Sequence, residues 1–151
     1  TYILDTSKML TRELRIELEK IFVDGQSFCN LYITVMSFGF KYGIPQDADL
    51  VFDVRFLPNP YYIDSLREKT GNDPEVQDYV MQNDKGRIFL EKLKDMMEGK
   101  NQLVIAIGCT GGKHRSVTLA NALYHILEKE ESYGVRIEHR DIGKDSITKR
   151  K

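Results

Sequence analysis

Cys109, Thr110, Gly111, Gly112, Lys113, His114, Arg115 and Ser116 put the residue types with the most chemistry into one short stretch. Two adjacent glycines permit positive φ and let a ligand come close to the backbone. Lys113 and Arg115 supply formal charge, and an arginine can meet a phosphate with two parallel hydrogen bonds. Ahead of them, residues 103–107 (LVIAI) form a short β-rich run that Gly108 is expected to stop. Behind them, from Val117 onward, Leu119, Ala120, Leu123, Ile126 and Leu127 recur at helical spacing. Strand, glycine loop and helix in that order turn backbone N–H groups and the positive end of a helix dipole toward an anion. The stretch reads as an anion site, with phosphate the expected group.

Two chemistries suit such a loop. The spacing C-x-x-G-x-x-R-S is that of cysteine-dependent phosphatases, in which N–H groups and the arginine grip the phosphate beneath a thiol nucleophile. Against it, Gly108 stands where those enzymes usually carry His, and only Asp53 or Asp141 could be tried as the acid for a leaving group. The other chemistry is binding alone. The same donors hold a phosphorylated metabolite, and His114, Ser116, Asp53 and Asn59 hydrogen-bond its hydroxyls. The three histidines (His114, His125, His139) are scattered, no cluster has metal-ligand spacing, and His125 is expected to be structural.

The elements that must position this loop come from the rest of the chain. With 151 residues, 41% hydrophobic and 30% charged, it is expected to be one globular domain with a real core. A formal net charge of −1 supplies no global field for nucleic acid, so any such binding needs a local patch. Cys29 and Cys109 both sit beside apolar runs, which fits a reducing cytoplasm better than a disulfide framework. No apolar run approaches the roughly 20 residues that span a bilayer. The opening Thr1-Tyr2-Ile3-Leu4 resembles the last strand of something removed, and a fragment cut at a domain boundary is expected.

Thr6 or Ser7 can cap a helix with Leu10, Leu14, Leu18, Ile21 and Phe22 along one stripe, ended by Asp24-Gly25. Residues 29–36 read as a buried strand, and a second glycine-bearing loop spans 37–43. Residues 51–56 (VFDVRF) are a third strand candidate in which Asp53 and Arg55 share one face, either solvated or turned into the crevice with Arg55 as a second anion ligand. Pro58 and Pro60 stiffen the turn after that strand. Residues 65–73 read as polar loop or short helix, Pro74 opens a short helix, and 87–98 form a firmer one with Gly99 as C-cap. Tyr133-Gly134 closes the last helix, 135–139 is a strand, and a basic tail ends the chain. Strands alternating with helices predict an α/β layered domain with a mainly parallel sheet of four or five strands. In such sheets ligands sit outside the carboxyl ends of the strands.

Three blocks, SFGFKYGIP (37–45), VFDVRFLPNP (51–60) and GCTGGKHRSV (108–117), resemble the C-terminal domain of the RapZ/YvcJ family, bacterial RNase adapters and nucleotide-binding proteins. The resemblance runs from about Asp5 to the end and divides the chain into a linker helix (1–26), a sugar-phosphate-sensing domain (27–141) and a basic tail (142–151). The family's P-loop, G-x-x-x-x-G-K-[ST], is absent here, so ATP or GTP is implied for a missing N-terminal domain and no cofactor for these residues. The resemblance implies a regulatory, non-enzymatic domain that binds glucosamine-6-phosphate or a related phosphorylated amino sugar. The implied contacts are Thr110, Gly111, Gly112, Lys113, His114, Arg115 and Ser116, with Ser37, Gly39, Lys41, Asp53, Arg55, Asn59 and Tyr61. It further implies a small regulatory RNA, met by Lys144, Lys149, Arg150 and Lys151, an endoribonuclease or other regulatory protein as partner, and a homo-oligomer (dimer or tetramer) in the cytoplasm. The adapter carries His after Asn-Pro where this chain has Tyr61, which opens the sugar preference to other phosphorylated ligands. The alternatives are the phosphatase and a protein-interaction module of cell-wall precursor regulation.

Overall fold

The computed structural model describes residues 10–22, 31–96 and 102–144. The sequence expectations for Thr6, Ser7, 23–30 (with Cys29), Gly99 and 145–151 lie outside them. Among the described residues, four strands, β1 (Leu31–Gly39), β2 (Leu50–Asp53), β3 (Gln102–Cys109) and β4 (Tyr133–His139), form one sheet in the order β2-β3-β1-β4. Every pairing is parallel. Five α-helices flank it: α1 (Thr11–Phe22), α2 (Asp64–Arg67), α3 (Pro74–Met81), α4 (Asp84–Asp95) and α5 (Arg115–Leu127). The expected α/β layered architecture is present.

The two central strands, β1 and β3, read as near-continuous apolar runs because a parallel sheet is covered on both faces. On one face Ile33 and Val35 of β1 and Leu103, Ile105 and Ile107 of β3 meet Leu119, Ala120, Leu123 and Leu127 of α5, all buried. Val76 and Val80 of α3 and Leu90 and Leu93 of α4 complete this core. Alternate residues of the same strands, Tyr32, Thr34, Met36 and Val104 among them, face α1 across a cavity.

Register brings the strand ends to one rim: Gly39 lies beside Cys109, and Asp53 beside Gly108. Here the strands depart from their expected limits. Gly108 does not stop β3, which runs on to Cys109 because β1 continues through Gly39 as its partner and Val54 N–H donates to the Gly108 carbonyl at 2.9 Å. The loop expected from Ser37 is strand as far as Gly39, and then a 3-10 turn over Phe40–Tyr42. β2 stops at Asp53 rather than Phe56, since the Asp53 carboxylate takes the Arg55 backbone N–H (2.9 Å) in an Asx turn. Tyr133 and Gly134 open β4 instead of closing a helix, and α4 starts earlier than expected, with Asn83 capping it through the Lys85 N–H.

Candidate functional site

The 110–114 loop leaves β3 at the rim and enters α5 at Arg115. It is held by backbone on both sides. Gly39 packs against it so closely that a Cβ there would stand 2.6 Å from the Gly111 carbonyl carbon. Gly112 takes φ +74, and a Cβ there would stand 2.7 Å from Gly39 N and 2.9 Å from the Asp141 Cβ. From β1's side Lys41 N–H donates to the Thr110 carbonyl (3.3 Å), and from the opposite side Gly71 N–H donates to the Lys113 carbonyl (2.9 Å). At the start of α5, His114 occupies the N-cap without a side-chain cap, and the first turn carries no acidic residue. Such a helix end keeps its positive dipole uncompensated by any carboxylate in its own first turn.

Beneath the loop, the Cys109 Sγ receives the Gly112 N–H at 3.3 Å and lies 3.1 Å from the Ser116 hydroxyl, all buried. Arg115 is buried too. One guanidinium nitrogen donates to the Arg55 and Leu57 carbonyls (2.8 and 3.3 Å), and the other reaches the Thr110 hydroxyl at 3.4 Å. The charge that sequence spacing assigns to an anion therefore also ties the loop to the 55–57 turn. Lys113 Nζ donates to the Arg67 carbonyl (3.0 Å), and His114 Nε2 lies 3.2 Å from the same oxygen. Burial and the charge of Lys113 push the His114 imidazole below its usual pKa, disfavouring its charged form.

The other residues singled out from sequence divide into two groups. Gly39, Lys41, Asp53 and Arg55 surround the loop at the rim. Arg55 is held in a fork by Asp53, with contacts of 2.6 to 3.0 Å, and its guanidinium lies 4.7 Å from the centre of the Phe40 ring. That fork holds the Asp53 carboxyl below its usual range, and the expected second anion ligand has a protein carboxylate as its partner. Asn59 caps a 3-10 turn, its Oδ1 accepting the Tyr61 N–H at 3.3 Å; Tyr61 itself is exposed beside Tyr62 and Arg67. Ser37 and Ser116 serve the scaffold. Both are fully buried, and the Ser37 hydroxyl is 2.8 Å from His139 Nδ1, whose Nε2 is 3.2 Å from Asn121 Oδ1 on α5. His125, expected to be structural, is exposed on α5 with Glu128 at 2.8 Å. Lys144 pairs with Asp141, while Lys149, Arg150 and Lys151 lie outside the described residues. Among the described residues no three His, Cys, Asp or Glu side chains gather to hold a metal ion, and no helix is long and apolar enough to cross a membrane.

This arrangement matches one family model over most of the chain, the RapZ C-terminal domain, across residues 31–143. The chain belongs to that family. A nucleotide-binding protein of Agathobacter rectalis is 65% identical over 97% of this chain and 53% of its own length. Nucleotide-binding proteins of Lachnoclostridium phytofermentans and Caldanaerobacter subterraneus are each 58% identical over 95% of the chain, covering 53% and 54% of their own lengths. The chain thus spans about half the length of the curated relatives it matches. In this RapZ-type domain four positions have roles that residue type and spacing do not reveal: Arg67 and Gly71, which hold the far side of the loop, and Arg140 and Asp141, which hold the near side. Sequence alone offers Asp141 only as an acid. Fully buried, it accepts the Gly39 N–H at 2.8 Å and pairs with Arg140 and Lys144. Burial alone would raise its pKa, but the bonds from Arg140, Gly39 and Lys144 outweigh it and hold the carboxyl down. Gly71 carries the only available signal, a Thr-Gly-Asn-Asp turn sequence just before a helix.

Proposed function

We propose that the chain is the ligand-sensing, regulatory half of a two-part bacterial protein. It binds a phosphorylated amino sugar, glucosamine-6-phosphate or a close relative, at the 110–115 loop without transforming it. The observation that carries this reading is the uncapped, acid-free start of α5 behind two glycines packed on Gly39, with the next residue, Lys113, held through its carbonyl by Gly71. The phosphoryl oxygens meet the N–H groups at the helix start with Arg115 beside them, and the sugar extends over the rim toward Lys41, the Asp53–Arg55 pair and Tyr61. The relatives are named nucleotide-binding proteins. We place that nucleotide in the half of those proteins that this chain does not span. Ligand occupancy is passed to a regulatory RNA or protein through the basic C-terminal segment, within a cytoplasmic homo-oligomer.

The test is calorimetric titration of the chain with glucosamine-6-phosphate, with inorganic phosphate as the control. Saturable binding at least tenfold tighter than phosphate, and weakened in Lys113→Gln, supports the reading; equal affinities for the two would remove the sugar from it. A second reading has one specific observation behind it. A thiol that receives a backbone N–H and lies beside a hydroxyl beneath a glycine loop is the arrangement of a phosphoryl-accepting nucleophile. Hydrolysis of p-nitrophenyl phosphate that vanishes in Cys109→Ser would replace the sensor with an enzyme, whereas unchanged ligand affinity in that variant and no turnover would retain the sensor.

A further inference from the structure

The 70–73 turn, which holds the far side of the loop, is itself fastened to α5. Gly71 packs on the first turn of that helix so closely that a Cβ there would stand 2.4 Å from the His114 carbonyl oxygen and 2.6 Å from the Thr118 nitrogen. Its N–H donates to the Lys113 carbonyl at 2.9 Å, so the seat of this turn sets the seat of Lys113. Asp73 shapes the turn from within, its carboxylate accepting the Thr70 N–H (2.7 Å) and hydroxyl (3.0 Å). Gln77 Nε2 donates to the Gly71 carbonyl at 2.9 Å, which ties the turn to α3, the helix that follows it. Asn121 ties it to α5: its Nδ2 donates to Asn72 Oδ1 at 2.8 Å and to the Gly71 carbonyl at 3.3 Å.

The other end of the same amide faces β4. A carbonyl oxygen accepts only from an N–H, so the contact with Gly71 puts the Asn121 nitrogen on that side and leaves Oδ1 toward His139 Nε2 at 3.2 Å. Oδ1 only accepts, and Nε2 therefore carries the ring proton. Nδ1 is left to accept the Ser37 hydroxyl at 2.8 Å. Burial disfavours the second proton that would disturb this arrangement. We propose that Asn121 is a positioning residue of the loop: its amide, oriented by the Nε2–H tautomer of His139, holds the 70–73 turn on α5 and so fixes the Lys113 backbone. That role rests on the ligand reading of the loop; the fastening itself does not. Ser37 and His139 each stand two residues before Gly39 and Asp141, so these bonds join the near side of the loop to the side held by Gly71.

The experiment is NMR on the whole chain, joined to calorimetric titration with glucosamine-6-phosphate. In the wild type the imidazole nitrogens of His139 should show the proton on Nε2; a proton on Nδ1 would overturn the orientation assigned to Asn121. Asn121→Leu, which removes donor and acceptor at similar volume, should speed exchange of the Gly71 amide at least about tenfold and leave the Gly39 amide, held by Asp141, within about twofold. Affinity for the sugar phosphate should fall at least about tenfold in the same variant. In Asn121→Asp the His139 ring, now beside a carboxylate, should take up its second proton above the ordinary imidazole pKa of about 6.5, which mere exposure of the ring would not achieve. Asn72→Ala, at an exposed position, removes the shorter bond and should speed Gly71 exchange severalfold even where the Asn121 variants fold poorly. Unchanged Gly71 exchange in Asn121→Leu or Asn72→Ala would overturn the fastening, and faster exchange with unchanged affinity would overturn the positioning role. A wild-type chain that ignores the sugar phosphate while Gly71 exchange still responds would instead overturn the function proposed for the loop.

Discussion

Gly39→Ala separates the close packing of the loop from every other property of the site. The glycine has φ −107 and ψ 125, a backbone any residue can adopt, so the substitution introduces no conformational strain of its own. Its effect is purely steric. The added carbon would meet Gly111 C at 2.6 Å, Gly111 O at 2.8 Å and Gly112 N at 2.9 Å, all backbone atoms with no rotamer to change. Moving the first contact out to an ordinary 3.4 Å displaces the loop by about 0.8 Å. Overpacking of this kind costs about 1–3 kcal/mol, which lowers the melting temperature of a domain this size by roughly 2–12 °C. If the loop binds a phosphorylated sugar as proposed, the same displacement would pull its N–H groups off the phosphoryl oxygens. Losing one charge-assisted bond, about 1.5–3 kcal/mol, weakens affinity at least about tenfold. Gly43→Ala is the matched control. Its φ of +86 makes alanine strained there, at a cost of about 1–3 kcal/mol, yet a Cβ at Gly43 meets nothing within 4 Å. Scanning calorimetry should show both variants destabilised, and titration with glucosamine-6-phosphate should show only Gly39→Ala impaired. Equal affinity in the two variants would refute the argument that backbone contact with Gly39 sets the loop.

Arg115→Ala should destabilise the fold as well as the site, because it strips the Arg55 and Leu57 carbonyls of a charged donor; a loss of about 3 kcal/mol in urea unfolding is expected, and an unchanged midpoint would make those bonds incidental. Stability should also fall as pH drops below 6.5, the ordinary value for an imidazole. Burial holds His114 and His139 below that value in the fold, so the unfolded chain takes up protons first and the equilibrium shifts toward it. A urea midpoint that is the same at pH 7.5 and pH 5.5 would show that neither ring resists protonation.

Sequence pattern exposes the parallel α/β plan and the strand–loop–helix at 103–127 because both depend on local chemistry: apolar runs, adjacent glycines and helical spacing. It places Arg115, Lys113 and Gly112 at the centre of the loop for the same reason. It fails where a side chain's role is set by distant chain. Nothing near Ser37 in sequence says that His139 arrives at 2.8 Å, and nothing near Arg67 says that its carbonyl receives Lys113. The Asp53–Arg55 alternation suggests a continuing strand, but an Asx turn uses the same two residues to end it. In the sequence Gly39 reads as a glycine in a loop and, by resemblance, as a ligand contact. Its actual requirement is the approach of Gly111 and Gly112, which only tertiary structure supplies.

Asp141 joins three pieces of chain that sequence keeps far apart. One carboxylate receives the end of β1 through Gly39 N–H, the end of β4 through Arg140, and the segment leaving the sheet through Lys144. The loop glycine Gly112 sits against its β-carbon. A buried charge that loses one of its donors raises the cost of keeping all the others in place. The loop rim and the root of the C-terminal segment are therefore expected to open as one cooperative unit. In hydrogen exchange the Gly39 amide should act as a reporter for both, since its N–H is held by the Asp141 carboxylate, and its protection should track the stability of that junction.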